Sequence, residues 1–363
     1  MDELSEKKRR LRTFLEQRGL DALYLSTVAN FAWLTAGLEP VVMISSDRAE
    51  AGLFVTRDKQ YVVCNSIEHP RMKDEDRLEE LGFEFHVSPW YHGLPRFDTL
   101  VQGLRWASDW PLPDVPDLSA EITRLRYQLT PEEMDRYRQV GLDTGNAIER
   151  AARAVRPGMS EVQIAGLMAK ETLDRGITPT MLLVGSDERI YRYRHPIPTH
   201  RQLERYAMLA ICARRWGLVT SATRFVHFGS LPAELSHKQQ ACAYVDVAFN
   251  AATRVGGRVS DIFQGAIDAY AEVGFPGEWQ KHNQGGAAGY QSRDYEGTPI
   301  CEEIVLADQA FAWNPSITGI KSEDTMIVHT TGCEFITVTG EWPSQPIKYG
   351  ERTWERPAIL TVI

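Results

Sequence analysis

The chain has 363 residues and a formal net charge of −9 at pH 7. With 43% hydrophobic and 25% charged residues it has the composition of a globular protein able to bury a sizeable core, and its length suits two domains. The acidic balance argues against a general nucleic-acid binder, and the lack of any run of about 18 apolar residues argues against a transmembrane helix.

"SEKKRRLRTFLEQRG" places Leu4, Leu11, Phe14 and Leu15 at or beside helical spacing and stops at Gly19. The basic run "EKKRRLR" within it is expected to be a solvated face. "MDELSEKKRR" is charged with no apolar stretch behind it, so no signal peptide is expected. "DALYLS", "AGLFVT" and "QYVVCN" read as strands, the last two around a turn at Arg57-Asp58. "RLEELG" reads as a short helix and "FEFHV" as a strand. "WPLPDVPDLSAEITRLRYQL" is Pro-rich, then extended, and is expected to be a linker.

At Thr130 the pattern changes to long helices. Thr130 with Glu133, and Ser160 with Gln163, form two capping boxes, and Pro131 suits a first helical turn. Gly158 and Gly176 mark the stops. Two strands follow, "LAICARRWG" and "LVTSATRFVHFG", then two helices, "AELSHKQQACAYVDVAFNAATRVGG" and "VSDIFQGAIDAYAEVG". Strands "AFAWNP", "DTMIVHT", "CEFITV" and "PAILTV" close the chain. The helix-helix-strand order occurs twice, as an internal duplication would give. The five cysteines (64, 212, 242, 301 and 333) are scattered, odd in number and without CxxC spacing. That argues against a disulfide framework or a structural zinc site and fits a reducing cytoplasm.

Five phrases in order resemble the pita-bread family of creatinase, Xaa-Pro peptidases and methionine aminopeptidase. They are "RGLDALYLSTVANFAWLTAG", "TPEEMDRYRQVG", "VRPGMSEVQIA", "YRHPIPTHRQLERYAMLAICARRWG" and "GTPI…AFAWNPSITGIKSEDTMIVHTTGCEFIT". The resemblance implies an α/β N-terminal domain over residues 1–125 and an α+β pita-bread C-terminal domain over 126–363. It also implies a homodimer.

Metal-dependent members of that family bind two divalent ions through two Asp, one His and two Glu, and the ions activate a hydroxide. Carried over position by position, these ligands fall at Ala210, Ser221, Asn283, Asn314 and Glu323, with His282 just before Asn283. Four of the five are lost, and residues 202–226 contain Glu204 as their only acid. No metal and no other cofactor is therefore expected.

Creatinase resembles these peptidases in fold but works without metal, with a general base His on the loop before the first metal strand. The matching residue is His195 in "RYRHPIPT", which suits acid/base work near pH 7 or, alternatively, the capping of a turn. Glu323 is expected to grip a cationic substrate group or act as a base; its alternative is an ion pair with Lys321 or Arg224. Asp324, on the opposite face of the strand, is expected to be structural. His282 and Asn283 begin a Gly-rich segment that allows close approach to a ligand, or makes a tight inter-strand turn. Asn314 precedes Pro315 and either binds substrate or forms a turn. Arg192 and Arg194, with Arg189, suit a carboxylate or phosphate, or else a solvated loop or dimer contact. Tyr290 and Arg293 are further substrate-binding candidates. His227 is expected to be a satisfied core histidine.

Three functions follow from the resemblance. The first is a metal-independent, creatinase-like enzyme acting on a C–N bond of a small polar, carboxylate-bearing molecule, with His195 as general acid/base. The second is a non-catalytic pita-bread module that binds peptide or protein. The third is an Xaa-Pro aminopeptidase with an unusual metal site.

Overall fold

The computed structural model describes residues 2–93 and 98–363. The chain divides into two compact units, Met1–Glu133 with Trp216–Leu218, and Met134–Arg215 with Val219–Ile363.

The first unit starts with α1 (Glu3–Arg18), N-capped by the Asp2 side chain and ended by Gly19 in the left-handed conformation. Five strands, β1 (Ala22–Thr27), β2 (Arg48–Thr56), β3 (Gln60–Asn65), β4 (Glu84–Ser88) and β5 (Trp106–Ser108), form one sheet in the order β4-β3-β2-β1-β5. Helices α2 (Val28–Leu34) and α3 (His69–Asp74) and the 3-10 turn Leu78–Leu81 connect them. Helix α2 is buried throughout, so its apolar run carries no amphipathic signal to read in sequence.

Two expectations are corrected in this unit. The linker is not extended throughout: Ser119–Arg124 forms helix α4, started by Asp117, whose carboxylate accepts from the Ser119 N–H at 2.9 Å. The basic run of α1 is not uniformly solvated. Lys7 is fully buried, with its ammonium 2.7 Å from Glu133 and 2.6 Å from the Trp33 carbonyl. A buried ammonium is tolerable because each N–H finds an acceptor.

The second unit contains two helix pairs, each packed on an antiparallel-rich sheet. Helices α5 (Pro131–Ala154, whose first residues lie in the first unit) and α6 (Glu161–Leu173) cover the sheet made by β6 (Thr178–Ser186), β7 (Tyr206–Arg215), β8 (Leu218–Phe228) and the final strand. Ile148, Val155, Ile164 and Met168 pack there on Val184, Leu209, Ile211 and Val226. Both capping boxes form: Thr130 N–H donates to Glu133 at 2.7 Å, and Ser160 N–H donates to Gln163 at 2.8 Å. A short helix, α7 (Glu188–Arg192), follows β6.

Helices α8 (Ala233–Ala252) and α9 (Val259–Glu272) cover a second sheet in the order β10-β9-β11-β14-β15, with β9 (Gly285–Ala288), β10 (Tyr295–Glu296), β11 (Gln309–Trp313), β14 (Asp324–His329) and β15 (Gly332–Phe335). Between β11 and β14 lie the two-residue strands β12 (Ser316–Ile317) and β13 (Ile320–Lys321). Val245, Phe249, Phe263 and Ala266 pack on Phe311, Trp313 and Met326. The hairpin β16 (Ser344–Tyr349) and β17 (Arg352–Pro357) precedes β18 (Leu360–Val362), which pairs in parallel with β8. Strand β6 carries Pro179 beside an irregularity in its pairing with β7; it is an edge strand, where the missing N–H is tolerated. That proline hides the strand from pattern reading.

The two sheets meet where β8 passes β14. Thr223 N–H donates to the Glu323 carbonyl at 3.1 Å, and Thr325 Oγ1 bridges the backbone of Ser221, accepting at 2.8 Å and donating at 3.0 Å. This seam holds Glu323 against β8.

Candidate active site

The loop carrying His195 is pinned at its base. Asp187, at φ +51°, accepts from the backbone N–H groups of Glu204, Arg205 and Tyr206 at 2.8–3.0 Å. Glu161, fully buried, accepts from Ser186, Arg189 and Thr199. Arg189 is thus committed to Glu161, and Arg194 to Glu278 at 2.7 Å and Thr318 at 3.0 Å. Arg192 stands exposed at the end of α7.

His195 reaches His282. Their Nε2 atoms are 3.0 Å apart, with ring centroids at 4.9 Å and planes at 74°. Such a contact needs one ring to donate and the other to accept, so at most one proton lies between them. Burial, the Lys321 ammonium and His195 hold the His282 imidazolium down at about 3. Burial and Lys321 also lower His195, against the opposing pull of Glu323. The neutral form of both rings is therefore favoured. His282 is held from behind by Gln284, whose Nε2 donates to the His282 carbonyl at 2.7 Å while its Oε1 accepts from Tyr270 at 2.8 Å.

Glu323 is 3% exposed. Burial alone would raise its carboxyl; Lys321 at 2.8 Å, Arg293 at 3.4 Å and Thr223 at 2.7 Å outweigh it and hold the group at about 2. Of the two alternatives for its ion pair, Lys321 is the partner. Arg224 turns to Asp324 and Glu149 instead. Next along β8 and β7, Ser221 Oγ lies 3.2 Å from Cys212 Sγ.

Asn314 Nδ2 donates to Asn283 Oδ1 at 3.4 Å. Tyr290 is 2% exposed, one residue beyond Gly289, whose carbonyl accepts from Val219. The Gly-rich segment is strand β9, and its glycines meet neighbouring backbone. Gly285 sits at φ +91°, and a Cβ there would lie 2.2 Å from the Ala312 carbonyl oxygen. His227 is buried, with Nδ1 3.1 Å from the Gly229 carbonyl.

Tertiary structure thus joins the sequence candidates into three contacts: His195 with His282, Asn283 with Asn314, and Arg293 with Glu323. Lys321, which sequence offered only as a partner for Glu323, proves central because it is 6% exposed and acts on both imidazoles. No residue spacing signals that; its burial comes from the seam between sheets.

Paired helices packed on two sheets give the second unit the pita-bread architecture. Residues 135–330, more than half of the chain, match the profile of metallopeptidase family M24, and the chain belongs to that family of hydrolases. Among solved structures it is similar to the Xaa-Pro dipeptidase from Bacillus anthracis, with a TM-score of 0.79 at 15% identity over 99% of this chain and 100% of that one. It is also similar to a recombinant prolidase from Thermococcus sibiricus, with a TM-score of 0.78 at 16% identity over 100% of both chains. The N-terminal domain of the FACT complex subunit SPT16 from Cicer arietinum gives a TM-score of 0.70 at 13% identity over 93% of this chain and 97% of that one. At these identities the structural likeness speaks for the fold alone. No curated protein sequence matches. Among the described residues no helix is long and apolar enough to cross a membrane.

The family's name implies metal, and the side chains here do not fit a pair of divalent ions. Ala210, Ser221, Asn283 and Asn314 bring no anionic donor, and the single carboxylate, Glu323, is shared by two cations. Among the described residues no group of three or more His, Cys, Asp and Glu side chains is disposed to hold an ion.

Proposed function

We propose that the chain is a metal-independent hydrolase of a C–N bond in a small, carboxylate-bearing molecule, with His195 as general acid/base. The observation that carries this reading is the imidazole contact of His195 and His282, with Lys321 and Arg293 sharing the carboxylate of Glu323. Lys321 and Arg293 carry two positive charges against the single charge of Glu323. The excess suits an anionic substrate group, and a guanidinium suits a carboxylate in particular.

In the proposed reaction His195 takes a proton from water, and the water oxygen adds to the carbon of the C–N bond. The bond breaks, and His195 returns the proton to the departing nitrogen. Water is divided across the bond, and no electron acceptor is required. Arg192, Arg194 and Tyr290 are proposed to border the substrate path, and the molecule is proposed to act as a homodimer in the cytoplasm.

The test is turnover of a panel of N-acyl and amidino acids by the wild type and His195→Ala. A fall of about 10²–10⁴-fold with the fold retained is expected. Protein purified without chelator should hold well under one equivalent of transition metal per chain. Two equivalents retained through gel filtration would overturn the metal-independent reading.

A binding module is the second reading. It is favoured by the occupied state of Glu323, which already has its partners, and by the likeness to a domain named as a subunit of a complex. Tight peptide binding without turnover of any panel member selects it.

A further inference from the structure

The basic run of α1 contains two kinds of cation. Lys7 is buried on Glu3 and Glu133, and Arg9 and Arg10 share Glu6 at 2.8 Å. Lys8 and Arg12 differ. Lys8 reaches the Leu81 carbonyl at 3.4 Å, and neither it nor Arg12 pairs with a carboxylate among the described residues. They stand one helical turn apart, where like charges repel. Burial and the Arg12 guanidinium both push the Lys8 ammonium below its ordinary value, against the pull of Asp2.

Both side chains line a cavity of about 250 Å³ between α1 and the turn that joins β2 to β3, wholly within the first unit. Arg57 and Lys59 add two more cations to its wall, and Asp58 and Glu84 are its acids. The contacts these groups make are long. Arg57 meets the Leu20 carbonyl at 3.4 Å, and Lys59 lies 3.6 Å from Glu84 with both side chains more than half exposed. Solvent screens such a pair to little net worth. Asp21 acts on Arg57 from nearby but is committed to Arg105 at 3.2 Å. Four cations against two carboxylates leave two positive charges over, in a chain whose net charge is −9.

We infer that this cavity binds the phosphate group of a small phosphomonoester, held by Lys8, Arg12, Arg57 and Lys59. Such a group carries about −1.5 to −2 charges at neutral pH, which matches the excess. Its terminal oxygens accept from several guanidinium and ammonium groups at once, whereas one guanidinium satisfies a carboxylate. The space would hold roughly eight waters at liquid density, more than a phosphate group alone fills, so a short organic part fits beside it. The alkyl stems of Lys8 and Arg12 offer that part an apolar wall.

The test is calorimetric titration of the full chain with glycerol 3-phosphate, inorganic phosphate and glycerol, at neutral pH and low salt. The wild type is expected to bind glycerol 3-phosphate with a dissociation constant of about 1 mM or below, inorganic phosphate more weakly, and glycerol not at all. Lys8→Gln and Arg12→Gln should each weaken the ester about tenfold. Arg9→Gln, in the same run but paired to Glu6, should leave binding unchanged. Melting in phosphate-free buffer accompanies each titration. Arg12→Gln should melt no lower than the wild type, because it relieves a like-charge pair. Lys8→Gln carries the comparison if Arg12→Gln fails to fold. No saturable binding of the ester, tighter binding of inorganic phosphate than of the ester, or an equal loss in all three variants overturns the inference.

Discussion

Glu323 and Asp324 are neighbours in the chain and live in opposite electrostatic settings. Asp324 points into a sealed network. It pairs with Arg224 and Arg356, each at 3.0 Å; Arg224 also meets Glu149 at 3.3 Å, and Arg356 meets Asp246 at 2.5 Å. Three carboxylates face two guanidiniums there, and both arginines are at most 1% exposed. Glu323 faces the other way, where one carboxylate meets two cations, Lys321 and Arg293. The network is short of positive charge and closed; the site has positive charge to spare. Burial pushes the Glu149 and Asp246 carboxyls up, whereas the Glu323 carboxyl is held down at about 2. Strand alternation sends consecutive side chains to opposite faces, so one dipeptide serves both the structural network and the proposed site.

The strongest way to break that contrast is to attack the network. Arg356→Met leaves Asp246 and Asp324 without their shared guanidinium in a dry interior. A loss of about 3–5 kcal/mol in denaturant unfolding is expected. Stability unchanged within a few tenths would show that the two regions differ less than the geometry implies.

Acid sharpens the comparison from the other side. The folded protein holds His282 at about 3, below the ordinary imidazole value of 6.5. Its contribution to stability is complete above 6.5 and is lost as pH falls from there towards 3, because only the unfolded chain takes up the proton. The slope is at most about 1.4 kcal/mol per pH unit. Glu323, at about 2 against an ordinary 4.5, adds a loss that begins below 4.5. Unfolding curves of wild type and His282→Asn between pH 7 and 5 should converge towards acid; parallel curves would contradict the assignment.

Lys321→Met is expected to act least on stability, because Arg293 remains to pair Glu323. Its effect belongs to the site. Removing a cation that disfavours protonated His195 should move the acid limb of kcat/KM upward, by up to about one pH unit. A limb that stays in place would show that Lys321 does not act on His195.

Helix signals were the most legible part of the sequence. The two capping boxes, the Gly19 stop and the apolar spacing of α1 are local, and local chemistry decides them. Strand β6 and the hairpin β16–β17 were not legible, because Pro179 and Pro346 interrupt the pattern that marks a strand. Helix α2 was not legible either: with every side chain buried, it lacks the polar face that reveals a helix. At the site, residue types pointed to His195, His282 and Glu323, but no spacing announced that His195 and His282, 87 positions apart, would touch.

By itself the sequence offered an alanine, a serine and two asparagines at the positions the resemblance compares with metal ligands, and none of these carries a negative charge wherever it lies. It also determined the long helices and their ends. Only the tertiary structure decided that Lys321 and Arg293 converge on Glu323, and that Arg224 and Arg356 turn away from it. Those outcomes depend on the seam between two sheets, where groups far apart in the chain share one poorly solvated space and charge interactions outweigh local preference.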